Sequence, residues 1–143
     1  MRAKDCGTCE VQGICCTDEH FVNVRVTLLE AEAIGRAIGD LPREIRVRVL
    51  ARTYAAAKEF DDARGCYSCP LFEPEAGCLV HVTTKPLPCI HHACYERPEN
   101  LPPDSLLKEA EREIVRLNSR TYGNGWSSEA IPVAILRLAS KNS

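Results

Sequence analysis

The chain is 143 residues long, 45% hydrophobic and 27% charged, with 18 Lys and Arg against 20 Asp and Glu and a formal net charge of −2. That length suits one domain with its own core, and the composition excludes a disordered chain and any bulk attraction to nucleic acid or anionic lipid. No apolar run approaches the ~18 residues a membrane span needs, and Met1–Cys6 leads into polar sequence without an apolar leader, so the expectation is a cytoplasmic protein with no membrane partner.

Val22, Val24 and Val26 alternate with Asn23 and Arg25, which predicts a short half-buried strand. Thr27-Leu28-Leu29-Glu30 has the capping-box pattern, in which hydroxyl and carboxylate each satisfy a backbone N–H at a helix start. Leu28, Ala31, Ile34 and Ile38 then share one face of a helix predicted over 28–39. After Gly39-Asp40-Leu41-Pro42, the spacing of Ile45, Val49, Ala56 and Phe60 predicts a second helix over about 43–60, favoured by the length of the pattern over the strand-like alternation of Ile45, Val47 and Val49. Arg43, Arg46, Arg48 and Arg52 read as a solvated face of that helix, with Glu44 and Arg48 an i,i+4 pair, so a nucleic-acid partner is not expected.

Seven of the nine prolines fall between 70 and 103, which forbids a long helix there and disfavours a central strand. Beyond Pro103, Asp104 is placed to cap a helix whose face is Leu106, Ala110, Ile114 and Leu117, ending before Tyr122-Gly123. Ser128 and Pro132 start a last helix through Ile135 and Leu138.

Nine cysteines are the outstanding feature, and nine is odd. Cys6, Cys9, Cys15 and Cys16 form one group and Cys66, Cys69, Cys78, Cys89 and Cys94 a second, with none from 17 to 65 or from 95 to 143. In a reducing compartment cysteines read as metal ligands or redox groups rather than disulfides. Two C-x-x-C pairs, Cys6–Cys9 and Cys66–Cys69, can each turn two thiolates toward one cation, and the entropy of closing so short a loop is small. The vicinal pair Cys15-Cys16 points its side chains to opposite sides of an extended chain, so it either feeds two sites or needs an unusual bend to serve one, which fits two sites or one polynuclear cluster better than one zinc; the plainer and less favoured reading makes one of the two a small core residue. His81, His91 and His92 share the second segment as candidates to replace a thiolate or to hydrogen-bond one, although a surface imidazole is the plainer reading.

Soft thiolates select Zn2+, iron in an iron–sulfur cluster, or Cu(I) over hard oxygen-seeking ions. The spacing matches neither ferredoxin pattern. A dithiol redox role for Cys6-Gly7-Thr8-Cys9 lacks the helix start that lowers such a thiol's pKa, because Val11-Gln12-Gly13 follows. Neither a nucleophilic triad nor a phosphate-binding glycine loop is legible, so no catalytic residue is assigned.

The N-terminal C-x-x-C…C-C group, the strand and Thr-x-x-Glu helix start, and then Cys69-Pro70-Leu71-Phe72, Gly77-Cys78-Leu79-Val80-His81 and Lys85-Pro86-Leu87-Pro88-Cys89 together resemble the YkgJ-type cysteine-cluster family, described as a zinc- or iron-chelating domain. The likeness runs from Cys6 to about Tyr95 and leaves the C-terminal helices uncovered. It implies that Cys6, Cys9, Cys15, Cys16, Cys69, Cys78 and Cys89 are metal ligands; Cys66 and Cys94 join them on spacing. Two departures stand out: five residues separate Cys9 from Cys15, and Lys85-Pro86 replaces the family's usual Arg-Pro. Flagellin lysine methylases with a similar cluster extend the resemblance to iron–sulfur chemistry.

The expected architecture is one mainly α domain over residues 1–143, with one or two short strands and an irregular cysteine- and proline-rich segment packed on helices. Residues 1–16 are expected to return to 66–94 around the metal. The expected function is structural or chelating metal binding, with an iron–sulfur redox protein or redox-enzyme subunit as the alternative. Sequence names no protein partner.

Overall fold

A computed structural model describes residues 24–60, 67–91, 99 and 102–141. The described chain is mainly helical with short antiparallel strands. In chain order it comprises β1 (Arg25–Val26), α1 (Leu28–Gly39), α2 (Arg43–Glu59), β2 (Phe72–Glu73), β3 (Gly77–Cys78), α3 (Leu87–His91), α4 (Asp104–Tyr122), β4 (Glu129–Ala130) and α5 (Ile131–Lys141). The strands form two pairs, β1 with β4 and β2 with β3.

Helix α1 begins as its sequence dictates. The Thr27 hydroxyl accepts from Glu30 N at 3.2 Å and the Glu30 carboxylate accepts from Thr27 N at 2.9 Å, so the capping box is complete. Ala31, Ile34 and Ile38 are buried along one face. At the far end the Arg46 guanidinium donates to Gly39 O at 3.1 Å, placing a cation on the carbonyl end of the helix dipole. Pro42 is the N-cap of α2, and its carbonyl accepts from Arg46 N.

The core forms where α1 and α2 pack on α5. Val26, Ile34, Val49, Leu71, Val80, Ile131 and Ile135 are among its buried members. Pro132, fully buried, sits in the first turn of α5, where its missing N–H is not needed. Strand β4, which the sequence pattern did not reveal, pairs Ala130 with Arg25 and Glu129 with Val26, tying the two ends of the described chain together. Val22 and Asn23, the start of the expected strand, lie outside the described residues.

Tyr67 fastens this junction. Its hydroxyl donates to Val24 O at 2.6 Å and accepts from Ile131 N at 3.4 Å, while its ring meets Phe60 edge-on at 6.0 Å. Asn118, fully buried on α4, accepts from Leu29 N at 2.9 Å and so takes up a further free N–H in the first turn of α1.

Two sequence expectations are corrected on α4. Asp104 is the first helical residue, not a side-chain cap: Pro103 holds the N-cap position, and its carbonyl receives Leu106 N and Leu107 N. Leu106 is 47% exposed and leaves the inward face, which runs through half-buried Leu107, Ala110, Ile114 and Leu117 to Asn118.

Replacing Tyr67 by Phe removes both hydrogen bonds while retaining the ring. Leaving the buried Val24 carbonyl and Ile131 N–H without this partner is expected to cost about 1–3 kcal/mol in chemical denaturation. An unchanged midpoint would show that the hydroxyl does not fasten the junction.

Candidate metal-binding segment

Residues 67–91 contain little regular structure, and their course is held by backbone turns within the segment together with side chains from α1 and α2. Pro70 and Leu71 are buried, and Arg52 Nε donates to Pro70 O at 3.1 Å. Phe72 N returns to Cys69 O at 3.2 Å, and Leu79 N donates to Leu71 O at 3.0 Å to close the hairpin above β2 and β3. The hairpin sets Cys78 opposite Phe72 and Gly77 opposite Glu73. Its turn is Glu73-Pro74-Glu75-Ala76, closed by Ala76 N on Glu73 O at 3.2 Å, with Pro74 second and Glu75 third at φ 70°. Proline followed by positive φ is the type II pattern, and Gly77 at φ 82° makes the next bend at a buried position.

Glu73 is the hairpin's main attachment to α2. Arg48 Nε donates to one carboxylate oxygen at 2.9 Å and an Arg52 terminal nitrogen to the other at 2.8 Å. This corrects the expected local Glu44–Arg48 pair: Arg48 reaches 25 residues along the chain instead, while Arg43 and Arg48 are exposed as a solvated face requires. The hydrogen bond from Arg52, with Arg48 adding to it against the opposing effect of burial, lowers the Glu73 carboxyl below its ordinary 4.5.

Glu30 makes a second attachment, to the segment's other end. One of its oxygens serves the capping box, and the other accepts from Leu87 N at 3.1 Å, at the start of the helix that carries Cys89. A single carboxylate thus meets free N–H groups of two helix starts.

Cys69, Cys78 and Cys89 are half-buried thiols packed against the same core. Among the described residues no three His, Cys, Asp or Glu side chains are grouped to hold a metal ion. Cys6, Cys9, Cys15, Cys16, Cys66 and Cys94 lie outside the described residues, as do His20 and His92. His81 is half-buried, with Nδ1 3.0 Å from Lys85 Nζ. Next to the segment, a cleft of about 650 Å³ opens between the α1 start, α3 and α4, lined in part by Glu30, Leu87, Pro88, Leu107, Lys108 and Trp126.

No family model matches this chain, and neither does any curated protein or solved structure. No helix among the described residues is long and apolar enough to cross a membrane.

The sign of the Glu73 effect fixes a pH dependence. A carboxyl whose pKa is lowered on folding contributes stability above its unfolded value of 4.5, and that contribution is lost as pH falls through the lower folded value. Glu73→Gln should therefore lose about 1–3 kcal/mol at neutral pH and match the parent only in strong acid. A constant difference between the two in denaturation series from neutral pH to strong acid would remove the clamp from the account.

Glu30→Ala should cost about 1–3 kcal/mol and also loosen the Cys89 end of the segment. Hydrogen exchange at Leu87 and alkylation of Cys89 should both accelerate more than the corresponding changes at Cys69. Equal acceleration at the two cysteines would show only global destabilisation.

Proposed function

We propose that this chain is a cysteine-cluster metal-binding protein of the YkgJ type, in which thiolates hold zinc or iron in a structural or chelating role. The reading is carried by the concentration of nine cysteines in two segments, three of them on a stretch that helix side chains pin against the core. Each of the three half-buried thiols is a soft donor of the kind that suits zinc or iron. Because the described residues alone hold no three-ligand group, a site at this face takes ligands from among Cys6, Cys9, Cys15, Cys16, Cys66 and Cys94. Bound metal would supply folding energy to a segment with little regular secondary structure. Iron as a cluster would add electron transfer, the alternative role.

Anaerobic purification followed by zinc, iron and acid-labile sulfide analysis tests the proposal. The expected result is stoichiometric zinc or iron that falls in Cys69→Ser, Cys78→Ser and Cys89→Ser variants. Sulfide with visible absorption would assign the cluster role. A folded, metal-free protein whose nine thiols all react with a thiol reagent after denaturation would overturn the proposal. Chelation of the metal-loaded protein should increase protease cleavage in both 28–59 and 67–91.

A further inference from the structure

Helix α2 carries apolar side chains on two faces. Val49 and Thr53 are buried against the core, while Val47, Leu50 and Tyr54 are 57%, 38% and 63% exposed. The exposed three recur at i, i+3 and i+7, with half-buried Ala57 three residues further on. That is the spacing of heptad a and d positions. At about 100° per residue the stripe lies on the opposite side of α2 from Arg48 and Arg52, so it is clear of the Glu73 clamp. One border carries opposite charges at opposite ends, Glu44 in the first turn and Lys58 in the last, both exposed, while exposed Arg43 holds the d position before Val47.

We propose that this stripe is a self-association surface, covered by α2 of a second copy packed antiparallel. With the twofold axis level with Arg52, Leu50 of each copy opposes Tyr54 of the other and Val47 opposes Ala57, the a-against-d layering of antiparallel helix pairs. The same alignment brings Glu44 of each copy, at an e position, alongside Lys58 of the other, also at e, forming two ion pairs related by the twofold axis. A parallel alignment instead gathers both Glu44 side chains at one end and both Lys58 side chains at the other. This self-complementarity selects a second copy as the occupant. A single pair of 17-residue helices seals less than the ~1,600 Å² of a standard interface, so the dimer is reversible and concentration-dependent.

Sedimentation velocity on the full chain, from low micromolar to submillimolar concentration, tests this. The parent should show a monomer–dimer equilibrium. Glu44→Lys should weaken it about tenfold, Lys58→Glu similarly, and the double variant E44K/K58E should restore it. Tyr54→Glu, at an exposed position, should leave a monomer with unchanged helical circular dichroism. A parent that stays monomeric throughout, a dimer that survives Tyr54→Glu, or a double variant no better than either single would each overturn the proposal. The charge swap places both residues unfavourably for the α2 dipole, so restoration cannot come from a stronger helix.

Discussion

The Tyr67 hydroxyl joins three stretches that are far apart in sequence. Val24 precedes the first described helix, Tyr67 opens the cysteine- and proline-rich segment, and Ile131 starts the last helix. The β1–β4 pair is only two residues long on each side and supplies little cross-linking of its own. A buried hydroxyl that donates to one of these stretches and accepts from another fixes both at the level where α5 enters the core. Edge-on packing against Phe60 locates the ring beside the end of α2. The placement of everything between 67 and 91 begins from this point.

From there the segment is attached by polar contacts at intervals. Arg52 holds the Pro70 carbonyl and, with Arg48, the Glu73 carboxylate; Glu30 holds Leu87 N. Each attachment answers a need that the segment's sequence creates. Prolines remove donors and interrupt ladders, so the remaining backbone groups must find partners outside a sheet or helix. Leu71 and Val80, both about 1% exposed, supply the apolar anchor between the polar ties. The three half-buried thiols are therefore carried on a backbone whose course is set by α1 and α2.

Much of this was legible in the sequence, and what escaped has a common cause. Thr27 and Glu30 announced the α1 start because both partners of a capping box lie within four residues. The second duty of Glu30, on Leu87, was invisible because it links positions 57 residues apart. Arg48 shows the same limit from the other side: Glu44 is its local i,i+4 candidate, yet a half-buried carboxylate brought close by the hairpin takes it instead. Asn118 reads as a polar helix residue until the α1 N-terminus is laid against it. Helix periodicity located α1, α2, α4 and α5, whereas the two-residue strands β2, β3 and β4 are too short to leave an alternation pattern. The cysteines declared their number and grouping; which of them share a site is a matter of tertiary approach that spacing does not encode.

On the metal-binding reading, the polar attachments bear on affinity as well as fold. Ordering a flexible proline-rich loop around an ion would consume binding free energy, because each residue fixed costs on the order of 1–2 kcal/mol of backbone entropy. Ties at Pro70, Glu73 and Leu87 meet part of that cost during folding of the helices. A metal bound there would then have less of this segment left to order. On that reading helix stability and metal affinity would be two readings of one coupling: loosening a tie would weaken the site, and filling the site would protect the tie. Glu30 would be central to such a coupling, since one carboxylate closes the start of α1 and holds the helix bearing Cys89.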